Sequence, residues 1–279
     1  MLRQRVTTAL VLAAFFFGAL FGTTTAVFLG LMALVVAYAA WEWSALAAIE
    51  SRVWRGLYVL LAAALLAVLV FYFRFDHRSL FDPRIDILLA WACGWWALAL
   101  LWVQSYPASA ILWGRSWIGA VMGVMVLLPT WIAMAVLISA PHGPWLVLGV
   151  VALVALADIA AFFTGRRFGR TKLAPKVSPG KTWEGLGGGL GAMALATLLF
   201  VWIAAPSGHW WAWLLLTLIT GLASVLGDLV ESMVKRHRGV KDSGAILPGH
   251  GGVLDRMDSL TAALPVFTLL YSLLYQKLW

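Results

Sequence analysis

MLRQRVTTALVLAAFFFGALFGTTTAVFLGLMALVVAYAAWEWSAL, residues 1–46, decides what kind of protein this is. A basic start followed by an apolar stretch is a pattern that a cleaved secretion signal would share. This stretch has no clear small-x-small cleavage site, and a second apolar run follows at once. It therefore reads as a first membrane helix that stays. The two runs, 6–22 and 25–46, are parted only by Gly-Thr-Thr-Thr. They are either a tight hairpin of two spans or a single span counted twice.

The pattern continues outward. Of the 279 residues, 63% are hydrophobic and 11% charged, where soluble domains carry roughly 25% charged residues. A soluble protein of this composition would have no surface to show water. Further apolar runs lie at about 54–73, 85–103, 117–139, 145–164, 184–205, 210–234 and 258–275, each near the length of about 20 residues that a spanning helix needs. Backbone groups cannot go unpaired in lipid, and runs this long exclude barrel strands. The expected fold is all-α, a polytopic integral membrane protein of about nine transmembrane helices. The lone Cys93 excludes an internal disulfide and a Cys-based metal site, and reads as a small core residue.

Lys and Arg set the orientation. With the N-terminus in the cytoplasm, sixteen of the 20 fall on inner segments: Arg3, Arg5, Arg52, Arg55, Arg115, six in 166–181 and five in 235–256. Arg74, Arg78, Arg84 and Lys277 fall outside. That asymmetry predicts a cytoplasmic N-terminus and a periplasmic C-terminus. Absence of a targeting extension points to a bacterial inner membrane. The 17 Trp are expected mainly in an interfacial belt. Glu42, in Trp-Glu-Trp, is expected at headgroup depth near the cytoplasmic end of the second span. His77, His142 and His209 have no ligand-like spacing and are given no chemistry.

Polar residues divide the chain in two. Residues 1–150 read as a transmembrane scaffold, with room for a lipid groove or a dimer contact. Residues 151–279 carry two polar loops, 165–182 and 235–257, separated by two spans and therefore on one face, the cytoplasmic one. Asp158, Asp228 and Glu231 lie within or at the ends of neighbouring spans. An acid in a membrane helix is costly enough to be a functional candidate by default, the alternative being a charge that locks helix to helix.

The first loop, SPGKTWEG at 178–185, reads as a turn feeding the seventh span, with Ser178 or Thr182 as its cap. A helix start beside Lys181 suits a phosphate. It is not a Walker P-loop, since the upstream Gly and the preceding strand are missing. The second loop, KDSGAILPGHGGVLDRMDS at 241–259, is richer. Lys235, Arg236, Lys241 and Arg256 can neutralise phosphate. Pro248-Gly249-His250-Gly251-Gly252 is a turn whose N–H groups can approach phosphate oxygens. Asp255 and Asp258 share a face if the ninth helix starts there. Carboxylates without a Cys or His cluster indicate Mg²⁺, as one or two ions, in company with substrate phosphates. Asp228, near the end of span eight, can meet Asp255 at the start of span nine.

Residues 232–258 resemble the signature of the phosphatidate cytidylyltransferase (CDP-diacylglycerol synthase) family. Ser232, Lys235, Arg236, Lys241, Asp242, Gly244, Leu247, Pro248, His250, Gly251, Gly252, Asp255, Arg256 and Asp258 all fall in register. Asp158, Gly165, Arg166, Phe168, Gly169, Lys172, Pro175, Ser178, Pro179, Lys181, Thr182, Glu184 and Gly185 extend the similarity to the first loop. Gly180 departs from it, since relatives often have a second Lys there. The close match covers about 158–259.

The resemblance implies that CTP and phosphatidate react to give CDP-diacylglycerol and pyrophosphate at the cytoplasmic face of the bilayer. The lipid phosphate is already an anionic nucleophile, so the protein's main task is to bring two anions together and stabilise the leaving group. On this reading Asp228 and Asp255 hold Mg²⁺, with Asp258 and Asp242 as additional or supporting acids and a monovalent cation allowed. Lys241, Arg256, Lys181 and Lys235 bind phosphates, with Arg236, Gly251 and Gly252 alongside. Ser178, Thr182 and Glu184 form the nucleotide-side loop. His250 either donates to a phosphate or braces the Gly turn. No nucleic-acid partner is expected, and a homodimer is allowed. The rival readings are a CTP-dependent polyprenol or dolichol kinase, which would release CDP, and a lipid or ion transporter, which would leave no covalent product.

Overall fold

The computed structural model describes residues 2–76, 79–204 and 209–278. His77 and Arg78 lie outside them, as do the side chains of Arg3 and Lys277. Among the described residues nine helices are long and apolar enough to cross a membrane. They are α1 (Leu2–Gly22), α2 (Thr25–Leu46), α3 (Arg52–Phe73), α4 (Pro83–Ser105), α6 (Ser116–Ser139), α7 (Gly143–Phe168), α8 (Trp183–Ala204), α9 (Trp210–His237) and α10 (Asp258–Leu278); the short α5 (Ala110–Trp113) precedes α6. The first two apolar runs are thus two separate helices. Thr24 caps the second by accepting the Val27 N–H, so the break falls where an Ncap residue was available.

α6 is the axis of the bundle. Of its spanning stretch 83% is buried, against 11% for α1. It packs on α2, α7 and α10. Trp43 on α2 donates to the Gly119 carbonyl of α6 at 2.8 Å, and the Thr130 hydroxyl on α6 lies 2.9 Å from the Thr261 carbonyl of α10. Trp43, Trp96, Trp113 and Trp131 are core residues, so these four depart from the expected interfacial belt: indole area fills gaps between helices as well as it anchors to headgroups.

Lipid supplies no hydrophobic drive between helices, so close contact rests on small residues. On α8, Gly185, Gly188 and Gly189 lie directly against Ala161, Thr164 and Ala157 of α7. Between α8 and α9, Thr197 and Thr217 share a hydrogen bond of 2.9 Å. On α9, Gly227 abuts the backbone carbonyl of Asp258 at the start of α10. That approach brings Asp228, the next residue of α9, to the same place.

The only named β-strands among the described residues are in the first polar loop. Strands β1 (Lys172–Ala174) and β2 (Ser178–Thr182) form an antiparallel hairpin with Lys172 opposite Thr182 and Ala174 opposite Ser178. Pro175 and Pro179 forbid a helix here, and the buried Val177 and Thr182 pin the hairpin down. The expected turn into the seventh span is therefore a small β-ribbon, and Thr182 is the residue that caps α8, accepting the Gly185 N–H at 3.1 Å.

Candidate active site

Both polar loops meet at one end of the bundle. They frame a cavity of about 820 Å³. Its polar wall includes Arg166, Lys172, Lys181, Asp228, Arg256 and Asp258; Asp158, Asp255, Ser178 and Thr182 also line it. Its apolar wall includes Val151, Val154 and Ala155 of α7 and Leu260 of α10.

Several of these polar groups have an identifiable support. Lys181 Nζ lies 2.7 Å from Asp228 Oδ2, and the Ser232 hydroxyl donates to Asp228 Oδ1 at 3.1 Å. Asp228 and Lys181 keep about a quarter of their side-chain surface open, so this pair can exchange for a ligand. Asp258 Oδ1 accepts the Ser259 N–H at 2.7 Å, and the Ser259 hydroxyl leans on Asp158 Oδ2 at 3.4 Å. Thr182 sits among Gly165, Gly169 and Gly185, where a Cβ on any of the three would crowd its side chain. Three glycines of the first loop thus have one cause.

Asp255 is held differently. Its Oδ2 accepts the N–H groups of Ser243 and Gly252, both at 2.8 Å, and the Ser243 hydroxyl at 3.0 Å. Its Oδ1 lies 2.6 Å from Lys235 Nζ, which also faces Glu231 at 3.0 Å. Burial would raise the Asp255 carboxyl, but the Lys235 ammonium and the two N–H groups hold it down at about 2. It is an anion at any physiological pH.

The other predicted residues do not line the cavity. Lys235 is buried behind Asp255. Arg236 reaches the Val177 carbonyl at 3.3 Å and so ties α9 to the hairpin. Glu184 accepts the Thr171 N–H at 3.1 Å and closes the hairpin's base. Lys241 and Asp242 are exposed on the second loop. The turn around His250 closes through Leu247 and Gly251, whose bridge puts Gly249 and Gly251 at φ of +74° and +83°. Those angles need glycine. His250 Nδ1 is buried without a hydrogen-bond partner.

Sequence reasoning missed one residue that the loop depends on. Glu42 is buried inside the protein, 2% exposed. Its carboxylate accepts the Leu254 N–H at 2.8 Å, the Val253 N–H at 3.1 Å and the Ser243 hydroxyl at 3.2 Å. The signal was an acid in an apolar run with no basic residue within one helical turn, hence needing partners from elsewhere in the chain.

The donor set suits a hard divalent ion. Asp228, Asp255 and Asp258 all line one cavity. Among the described residues no three His, Cys, Asp or Glu form a ready-made metal cage. An ion here would complete its shell with phosphate oxygens and water, as Mg²⁺ commonly does.

Comparison with known proteins places the whole chain in one family. The chain is 43% identical to the phosphatidate cytidylyltransferase of Pseudomonas aeruginosa, covering 97% of each chain. It is 38% identical to that of Haemophilus influenzae, covering 97% of this chain and 99% of the relative. The family model described as cytidylyltransferase matches residues 3–274, and the chain belongs to the cytidylyltransferase family.

Proposed function

We propose that this chain transfers the cytidylyl group of CTP to phosphatidate, giving CDP-diacylglycerol and pyrophosphate for phospholipid synthesis. The observation that carries the reading is the cavity, which is lined both by basic groups (Arg166, Lys172, Lys181 and Arg256) and by apolar residues of α7 and α10. A soluble polyanion and a lipid phosphate need both kinds of lining. Arg166, Lys172, Lys181 and Arg256 face the phosphates. A phosphatidate oxygen attacks the α-phosphorus, a new P–O bond forms there, and the bond to the β-phosphate bridging oxygen breaks. The electron pair leaves on pyrophosphate, and the cations offset its charge. The phosphate monoester needs no protein nucleophile.

Asp228, Asp255 and Asp258 would hold Mg²⁺, which when bound lowers the charge on the leaving group; a monovalent ion beside it is compatible with this acid-rich wall. Lys181 pairs with Asp228 and passes to a phosphate when substrate enters. The site faces the cytoplasm, where CTP is, with the N-terminus on the same side and the C-terminus in the periplasm of a bacterial inner membrane. Residues 1–150 serve as scaffold and as the surface for any homodimer.

The test uses protein in mixed micelles with phosphatidate, Mg²⁺ and CTP labelled in the cytidine. Label in the organic phase with an equal amount of pyrophosphate in water is expected. CDP with a phosphorylated polyprenol would establish the kinase reading instead, and folded protein that forms no product would return the chain to the transporter class.

A further inference from the structure

Glu42 belongs to neither polar loop and does not line the cavity, yet three donors of the second loop converge on it. We propose that Glu42 is a positioning residue for the cytidylyl transfer: from α2 it fixes the loop that delivers Arg256 and Asp258 to the cavity. The proposal rests on the functional reading above.

The chain passes from the His250 turn into a short 3₁₀ turn, Leu254–Arg256, and then into α10. N–H groups at the start of such a turn have no partner within it. Asp255 takes the Gly252 N–H, and Glu42 takes those of Val253 and Leu254. Two carboxylates thus cap one turn, and the Ser243 hydroxyl lies between them, 3.0 Å from Asp255 and 3.2 Å from Glu42. Two backbone N–H groups point at Glu42, and the single proton of the Ser243 hydroxyl is shared between Glu42 and Asp255. A buried carboxylate is costly without such partners, and an apolar side chain in its place would leave the Val253 and Leu254 N–H groups without an acceptor.

The glycines of the loop give an independent observation. A Cβ on Gly244 would run into the Glu42 carboxylate, and one on Gly252 would meet both Glu42 oxygens and the Ser243 hydroxyl. Neither glycine has a positive φ, so backbone conformation does not require glycine at either position. The space required by Glu42 does. α2 is itself fixed on α6 through Trp43 and Gly119, which makes Glu42 a stationary peg.

The test uses the full chain in detergent micelles or nanodiscs. Glu42→Gln keeps the size but turns one oxygen into an NH₂ that faces N–H donors. It is expected to lower kcat about 10- to 100-fold, the loss typical when a group that orients reacting ligands from behind is removed. Melting should stay within a few degrees of wild type. Hydrogen exchange should speed up in peptides covering 243–257 and stay unchanged across 210–234. Glu42→Asp, one methylene shorter, should fall between. Gly244→Ala alone should lower kcat, and should lower it less in the Glu42→Asp background, because the shorter acid makes room for the methyl; that non-additivity reads out the contact between Glu42 and the loop. Wild-type kcat and exchange in Glu42→Gln would overturn the proposal. So would a lowered melting point with wild-type kcat and KM in the folded fraction, or strict additivity with Gly244→Ala. Exchange needs no turnover, so it tests Glu42's hold on the loop even if wild-type protein makes no CDP-diacylglycerol and the functional reading itself fails.

Discussion

The two polar loops do the same job by opposite means. The first is a ribbon of two short strands, mostly half-buried or exposed, joined to the bundle by Val177, Thr182 and the Arg236 contact. The second is longer, contains little regular structure, and is gripped from within by Glu42, Asp255 and Lys235. The ribbon gets its shape from backbone pairing, which any sequence with Pro at its turns can supply. The second loop has almost no backbone pairing of its own, so buried carboxylates satisfy its N–H groups instead. Rigidity made this way is unforgiving: removing one acid leaves several donors unpaired at once. From this difference we expect the ribbon to tolerate change and lose affinity gradually, and the second loop to fail abruptly.

The largest effect should come from Asp255→Asn. It leaves Lys235 buried opposite an amide and removes an acceptor shared by three donors. Breaking a buried pair from one side costs roughly 3–5 kcal/mol, so turnover should be lost and the melting point should drop, both measurable in micelles. Next comes Gly252→Ala, whose new methyl meets Glu42 and Ser243. Turnover should fall by about two orders of magnitude, in line with the 1–3 kcal/mol typical of overpacking. If Gly252→Ala were silent, the rigid picture of the second loop would break.

Changes in the ribbon should be milder. Lys181→Met removes one phosphate-facing cation and frees Asp228. KM for CTP should rise about tenfold, as loss of a charge-assisted hydrogen bond of about 1.5 kcal/mol would give, with melting unchanged. Arg236→Ala frees the Val177 carbonyl, and only about a threefold loss of kcat/KM is expected, because this charge-assisted tie is long, at 3.3 Å, and only part-buried. The smallest effect is Gly180→Ala. A Cβ there meets open space, so activity should stay within about twofold of wild type, as for surface changes generally. A large loss at Gly180 would show that the ribbon closes tightly on substrate, and the comparison would need to be redrawn for the bound state.

Much of the molecule was legible in order. All nine spans fell within a few residues of their helices, because lipid demands an apolar run of fixed length and leaves few alternatives. The second loop was legible as a site because charge and glycine concentrate there against an apolar background. Roles within it were less so. Lys235 and Arg236 read as phosphate binders, yet one is buried beneath Asp255 and the other holds the ribbon. A basic residue next to a motif can serve the substrate or the fold, and spacing does not separate the two. The ribbon was missed because three paired residues give too short an alternation to read. The hold of Glu42 on the second loop was missed because its partners lie more than 200 residues away in sequence.

By itself the sequence determined the class of protein, the number of spans and the segment where the chemistry gathers, since each follows from local composition against a solvent that tolerates little variation. Only the tertiary structure decided which charges face the cavity and which brace it. That choice depends on where two helices cross, at Gly227 and Asp258, and on an acid brought by a third helix, and such long-range contacts leave no local pattern along the chain.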